Sequence, residues 1–439
     1  MLMEKLYAMN GKPCSCGKVH GFEARVLIGK GVVDQLPELI TGLCCRKPFL
    51  LSDSNTWAAA GERVASLLQA KGFHHAGYCF PSSSLEPDEA AVGAAVMHFD
   101  HSCDLIVGIG SGVINDIGKI LSHLTGKPYI IIGTAPSMDG YASATSSMTR
   151  SGLKISLSTR SADVILGDTD ILCTAPLHMM QAGLGDMLAK YVSICEWRIS
   201  HLITEEYYCP AIAELVKAAL QRCIDCAPGL LRRDEAAVQA VFEGLVIAGV
   251  AMNYAGVSRP ASGVEHYISH LLDMRAVEFG TPTALHGIQC AIGTNIALKL
   301  YEKLKAVVPD REKALAYASA FDRQAWEAGL RSLLGKGAES MILLENTEQK
   351  YDPLKHQQRL DRILVHWPAL LEILDTSLPT VRELEWLLDS LGMPKRPEDI
   401  GIDSALLRQI FPATKDIRDK YVLSRLAWDL GVLDEIIEN

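Results

Sequence analysis

The sequence predicts an α/β domain followed by an all-helical one, on two observations. Short apolar runs alternate with helical periods as far as residue 175, and after about Pro176 the β-branched runs stop while long helical periods continue to the C-terminus. A third observation marks a functional edge in the first domain: the glycine-rich stretch GIGSGVIND, Gly108 to Asp116, directly follows an apolar run. The predicted domains are therefore 1–175, a parallel-sheet nucleotide-binding domain, and 176–439, a helical domain.

The expected strands are ARVLIG, PFLLSD ending at Asp53, HAGYCF, CDLIVGIG and PYIIIG. TWAAAGERVASLLQAKG and PDEAAVGAAVMHF read as helices between them, and such alternation implies a parallel sheet covered on both faces. A further pair, LKISLS and ADVILGD, extends the sheet or forms a hairpin near Ser151 and Gly152. In the helical part, LLGKGAESM and KYDPLKH read as breaks within a charge-rich region from Asp310 to Leu374.

A chain of 439 residues, 49% hydrophobic and 21% charged, has enough apolar material for two packed cores, which argues against disorder. A net charge of -10 without a dense Lys/Arg stripe argues against a nucleic-acid partner. The opening MLMEKLYAMNGK has no apolar signal core, and no uninterrupted apolar run reaches membrane-span length, so a cytoplasmic protein with no membrane span is expected. Its 12 cysteines are dispersed, some of them (Cys195, Cys290) within apolar helical patterns, and reduced thiols are expected. Cys14, Cys16 and His20 in CSCGKVH have metal-compatible spacing, but no second cysteine pair follows at finger-like spacing; a turn closed by Gly17 is the expectation there.

Gly108, Gly110 and Gly112 stand where a strand passes into the helical run VINDIGKILSHL, so backbone amides and a helix N-terminus face any bound diphosphate. A tight turn without a ligand would use the same glycines. The usual dinucleotide fingerprint belongs to a first strand, whereas this one follows several. The next strand ends in GTAPSMDGYAS, where Thr134, Ser137 and Ser143 offer hydroxyls and Asp139 a carboxylate. Asp53 could take a ribose hydroxyl or cap the helix before Thr56.

Further on come Asp186 in AGLGDMLAKY, His266 in SGVEHYISH and His286 in TALHGIQ. His266 and His270 are four apart in an expected helix and share a face. An Asp with two or three His holds a divalent zinc, nickel or iron ion and leaves positions open for a substrate oxygen.

These stretches resemble the sn-glycerol-1-phosphate dehydrogenases, particularly the bacterial branch, whose wider kin are the glycerol dehydrogenases, iron-type alcohol dehydrogenases and dehydroquinate synthases. The resemblance rests on GIGSGVINDIGK, TAPSMDGYAS, ADVILGDTDILCTAPLHMMQAGLGDMLAKY, SRPASGVEHYISH and TALHGIQ, spread over about Asp104 to Gly293. It implies a Rossmann-like domain ahead of a helical metal-binding domain, as in dehydroquinate synthase. It further implies that Asp186, His266 and His286 bind the catalytic metal, nickel or zinc, with Asp186, Asp139 and His270 touching substrate. Cofactor contacts, NAD(H) or NADP(H), would fall on Asp53, on Gly110, Ser111, Gly112, Val113, Ile114, Asn115 and Asp116, and on Thr134, Ala135, Pro136, Ser137 and Ser143. The implied reaction interconverts dihydroxyacetone phosphate and sn-glycerol 1-phosphate in phospholipid metabolism, with a homodimer as the implied assembly. Glycerol or another polyol is the alternative substrate on the same metal set. Arg259, Ser262 and Lys190 are offered as phosphate donors, with surface or capping roles as the other reading.

Overall fold

The computed structural model describes residues 2–81, 84–151 and 153–438. Strands β1 (Arg25–Gly29), β2 (Pro48–Asp53), β3 (Ala76–Phe80), β4 (Leu105–Gly110), β5 (Tyr129–Gly133), β6 (Thr145–Arg150), β7 (Leu153–Ser158) and β8 (Val164–Asp168) are followed only by helices among the described residues. The main sheet has the order β1-β8-β5-β4-β2-β3, every neighbouring pair parallel. Strands β4, β5 and β8 are buried along their whole length, which is why they read as continuous apolar runs rather than alternating ones.

From β2 the chain moves outward to β3 and then returns to the other side of β2 for β4. That reversal is a topological switch point, and the carboxyl ends of its two strands carry Asp53 and Gly110. The glycine-rich turn thus belongs to an internal strand of the sheet.

The LKISLS strand pairs antiparallel with Thr145–Arg150, in register Thr145↔Ser158 to Arg150↔Leu153, while VILGD joins the main sheet between β1 and β5. The partner strand TSSMTR escapes a hydrophobicity reading because only Ser146 and Met148 are buried in it. Ser151 takes φ 52° at the hairpin's end; Gly152 lies outside the described residues.

The contacts divide the chain into two compact units: Met1–Met187 with Glu214–Val257, and Leu188–Ala213 with Ser258–Asn439. This differs from a cut at residue 175, because the helix Glu235–Ala255 packs on the sheet. Phe242 fills the space over Gly133 of β5 and Gly167 of β8, where any side chain would collide with its ring. That helix is apolar and long enough to cross a membrane, yet 78% of its apolar window is buried within the protein.

The first unit has a sheet-and-helix core that includes Leu50, Val107, Ile109, Ile130, Ile132 and Leu166. The second is a helical assembly around a core that includes Val192, Tyr267, Leu271, Tyr301, Leu374 and Trp428. Its breaks fall as expected: a short turn at Gly335–Gly337, and Pro353 opening a 25-residue helix capped by Asp352.

Candidate functional site

In the first unit, β4 passes through Ser111 into the helix Gly112–Thr125. Gly110 is obligatory by packing: a Cβ there would lie 2.5 Å from that of Ile114. The Asn115 amide reaches back to the Ser111 carbonyl at 2.9 Å, so the amides of Gly112, Val113 and Ile114 form the helix's open N-terminus. Ile114 is buried in the core. The side chains of the next two residues are committed to the fold. Asn115 donates to the Gly140 carbonyl at 2.9 Å, and Asp116 pairs with Lys119 at 3.0 Å. Burial pushes the Asp116 carboxyl up, with Lys119 opposing.

Beside this turn, Thr134 to Tyr141 run as a clamped loop. The Thr134 amide donates to the Gly110 carbonyl at 3.1 Å; Ser111 and Ser137 share a hydrogen bond; Tyr141 donates to the Ala135 carbonyl at 2.6 Å. From the other side Gly183 meets the loop without a side chain, since a Cβ there would stand 2.8 Å from the Pro136 carbonyl carbon. One helical turn later, the buried Asp186 carboxylate accepts the Asp139 amide at 2.9 Å. Ser143 bonds Thr145, 2.9 Å between hydroxyls. Asp53 caps the helix that follows β2, accepting the Thr56 amide at 2.8 Å through Oδ1. Ser111, the loop Thr134 to Tyr141 and Asp186 are thus joined by direct hydrogen bonds next to the end of β4.

In the second unit, His266 lies in the first turn of the helix Val264–Phe279 and His286 opens the helix Leu285-capped His286–Lys305. Their ring centroids are 5.0 Å apart, with His270 5.8 Å from His286. Each of the two has its Nδ1 engaged, His266 by Glu265 Oε1 at 2.9 Å and His286 by Ser269 Oγ at 3.0 Å. An imidazole held through Nδ1 presents Nε2 as the ligand atom, the arrangement by which proteins orient metal-binding histidines. Donor atoms of His266, His286 and Cys290 all lie within 4.8 Å of one another, so the set fits a divalent ion of borderline softness. His270 stands a turn further along, outside that donor set.

Cys290 is the residue that sequence reasoning passed over. Its apolar helical surroundings predict an ordinary reduced thiol, and its spacing of four from His286 on one helix is the available signal. Burial acts to raise its thiol, but His266 and His286 outweigh that and leave it below its ordinary value. Burial, reinforced by Arg418 and then by His286 and His266, pushes His270 well below the usual histidine range.

Behind His266 sits a buried carboxylate pair. Glu196 accepts from the amides of Val264 (2.9 Å) and Leu423 (2.8 Å) and from the Tyr301 hydroxyl (3.1 Å). Burial and the neighbouring Glu265 nevertheless push its carboxyl up to about 8.

Arg259 is not a free phosphate donor. It is 1% exposed, and its guanidinium is spent on Glu206 (2.8 and 2.5 Å), the Ser200 hydroxyl (3.0 Å) and the Tyr421 carbonyl (2.9 Å). Lys190 is likewise buried, its ammonium 3.1 Å from the Ala261 carbonyl. The cations facing His270 come instead from the C-terminal region, Arg418 and Lys420. Lys420 touches the Ser262 carbonyl at 2.8 Å and lies 5.7 Å over the Tyr267 ring; burial, with Arg259 and Arg418, pushes its ammonium down to about 7. No local motif marked them, since their place beside His270 is created by the fold.

Comparison with known proteins places these features in a lineage. The family described as Iron-containing alcohol dehydrogenase matches residues 27–176. A protein of Halalkalibacterium halodurans named Glycerol-1-phosphate dehydrogenase (NAD(P)+) is 28% identical over 93% of this chain and 94% of its own. One of the same name from Bacillus velezensis is 32% identical over 76% of this chain and 88% of its own. Among solved structures, glycerol dehydrogenase from Schizosaccharomyces pombe superposes with a TM-score of 0.62 at 16% identity, covering 96% of this chain and 92% of that one, a likeness of fold. The chain belongs to the glycerol-1-phosphate dehydrogenase family, within the iron-containing alcohol dehydrogenase-like superfamily.

Proposed function

We propose that the chain is an NAD(P)-dependent sn-glycerol-1-phosphate dehydrogenase, interconverting dihydroxyacetone phosphate and sn-glycerol 1-phosphate. The observation that carries the reading is the histidine pair His266 and His286, each braced through Nδ1, in a chain whose similarity to proteins of that name spans nine-tenths of its length. Asp186, His266 and His286 are the proposed ligands of one divalent ion, nickel or zinc. When bound, such an ion supplies Lewis acidity at the substrate's C2 oxygen.

The nicotinamide dinucleotide would lie at the switch point of the sheet. Its diphosphate faces the open amides of Gly112, Val113 and Ile114 at the helix N-terminus, with the Gly110–Ser111 backbone beside them. Thr134 to Ser137 and Ser143 line the neighbouring strand end; Asn115 and Asp116 act from behind, holding the loop and the Lys119 ammonium. Asp53 offers the ribose its second carboxylate oxygen while the first caps the helix. Asp139 and His270 contact the substrate, His270 as the group nearest the transferred hydroxyl proton. Arg418 and Lys420 take the substrate phosphate, the role that Arg259 cannot fill. The protein is proposed to act in the cytoplasm as a homodimer.

The test is a comparison of catalytic efficiency. Two charge-assisted bonds to phosphate, each worth about 1.5 to 3 kcal/mol, make dihydroxyacetone phosphate better than dihydroxyacetone by at least about a hundredfold. Comparable efficiency on both would overturn the reading in favour of a polyol dehydrogenase.

A further inference from the structure

The segment Pro13–His20 closes on itself. Pro13 and Val19 form an antiparallel bridge, the Cys14 amide donates to the Lys18 carbonyl at 2.9 Å, and the Gly17 amide returns to the Cys14 carbonyl at 2.9 Å. Gly17 takes φ +84°, a conformation that side chains other than glycine rarely adopt, so the expected turn is present. It has a second consequence: the sulfur atoms of Cys14 and Cys16 and a ring nitrogen of His20 converge within 4.8 Å of one another.

His20 is the informative member. It is 1% exposed and stacks on Tyr254, ring centroids 5.4 Å apart. Its Nδ1 lies 2.9 Å from the Tyr254 carbonyl oxygen, which can only accept, so Nδ1 carries the proton and Nε2 presents a lone pair. That lone pair faces Cys16 Sγ at 3.4 Å. A tetrahedral zinc with Zn–S near 2.3 Å and Zn–N near 2.0 Å has donor-to-donor edges of about 3.5 Å, so this edge already has the span the ion needs. Bracing of the second ring nitrogen by a backbone carbonyl is again what fixes a metal-binding histidine.

We propose that Cys14, Cys16 and His20 bind a structural zinc ion, separate from the catalytic ion. Two thiolates and an imidazole select zinc over hard cations, and the ion fastens the N-terminal segment to the end of the helix Glu235–Ala255 through His20 and Tyr254. The helix Leu2–Met9 is tied in at the same place, with the Tyr254 hydroxyl donating to the Leu6 carbonyl at 2.9 Å.

The test uses the full-length protein purified without chelator. Elemental analysis is expected to find one zinc per chain that disappears in Cys14→Ser, Cys16→Ser and His20→Ala while the other ion and most of the turnover remain. After cobalt substitution, the near-ultraviolet thiolate-to-metal band is expected to weaken in Cys14→Ser and in Cys16→Ser, and in Cys290→Ser the component removed by those two substitutions is expected to remain, which separates the two sites. Should the Cys14 and Cys16 variants not fold, zinc-edge absorption of Cys290→Ser still decides: sulfur in the zinc shell supports the site, and a shell without sulfur overturns it. Metal content or a cobalt band unchanged in the folded Cys14 and Cys16 variants overturns it equally.

Discussion

Replacing Gly183 by alanine tests whether the cofactor loop is held by direct backbone packing. The added Cβ would stand 2.8 Å from the Pro136 carbonyl carbon and 3.0 Å from Val241 Cγ1, where ordinary contact begins at 3.4 Å. Val241 can turn a methyl aside; a backbone carbonyl cannot. The Pro136 carbonyl oxygen stands closer still to that Cβ, so the loop must retreat by roughly 1 to 1.6 Å, and it carries the surface proposed for the dinucleotide. Overpacking of this kind costs about 1 to 3 kcal/mol, and the better helix propensity of alanine returns about 1 kcal/mol, so net destabilisation of about 0 to 2 kcal/mol is expected. Activity should suffer more than stability, because misplacing bound groups by about 1 Å can cost about a hundredfold in rate. We expect Gly183→Ala to keep a cooperative melt while kcat/KM for reduction falls by about ten- to a hundredfold, most of it in the NAD(P)H dependence. An efficiency within about twofold of the unmodified protein would refute the clamp.

His266→Ala and His286→Ala should each lose the catalytic ion and turnover together, whereas His270→Ala should keep the ion and lose turnover; full metal occupancy with normal rates in the first two would remove them as ligands. Lys420→Ala should raise KM for dihydroxyacetone phosphate about tenfold or more and leave that for dihydroxyacetone unchanged. Because the Lys420 ammonium titrates near 7, affinity for the phosphate substrate in the unmodified protein should weaken as pH rises through about 7 to 8, and a flat profile would argue against it. Glu196, pushed up to about 8 by burial and Glu265, holds a proton in the folded state that the unfolded chain releases near 4.5. Its favourable contribution is therefore full below about pH 4.5 and lost as pH rises toward 8. In chelator-treated protein, the melting temperature of Glu196→Gln minus that of the unmodified chain should increase steadily over this range. The amide's clash with the Val264 and Leu423 donors adds only a constant offset, so a slope of zero would contradict the assignment.

Local pattern carried much of this protein. The order of strands and helices, the glycine-rich turn on a buried strand and the helical context of Asp186, His266 and His270 were all legible, because apolar periodicity and backbone-special residues act over a few positions. The strand Thr145–Arg150 was not, since its partner rather than its hydrophobicity makes it a strand. Nor could sequence place the boundary of the units: a helix over 60 residues beyond the last strand belongs to the sheet because Phe242 fits the space above two glycines.

The chemistry of individual side chains depended on tertiary structure still more. Arg259 reads as a phosphate donor until Glu206, Ser200 and the Tyr421 carbonyl are seen to consume it. Lys420 and Arg418 carry no local motif, and only folding brings them within electrostatic reach of His270. CSCGKVH reads as a turn, which it is. Only the carbonyl of Tyr254, 234 residues away, fixes the His20 tautomer and turns the same seven residues into a set of metal donors. Sequence determines which groups are available and how the backbone curls around them; which of those groups remain open to a ligand depends on partners distant in the chain, and only the folded structure brings them together.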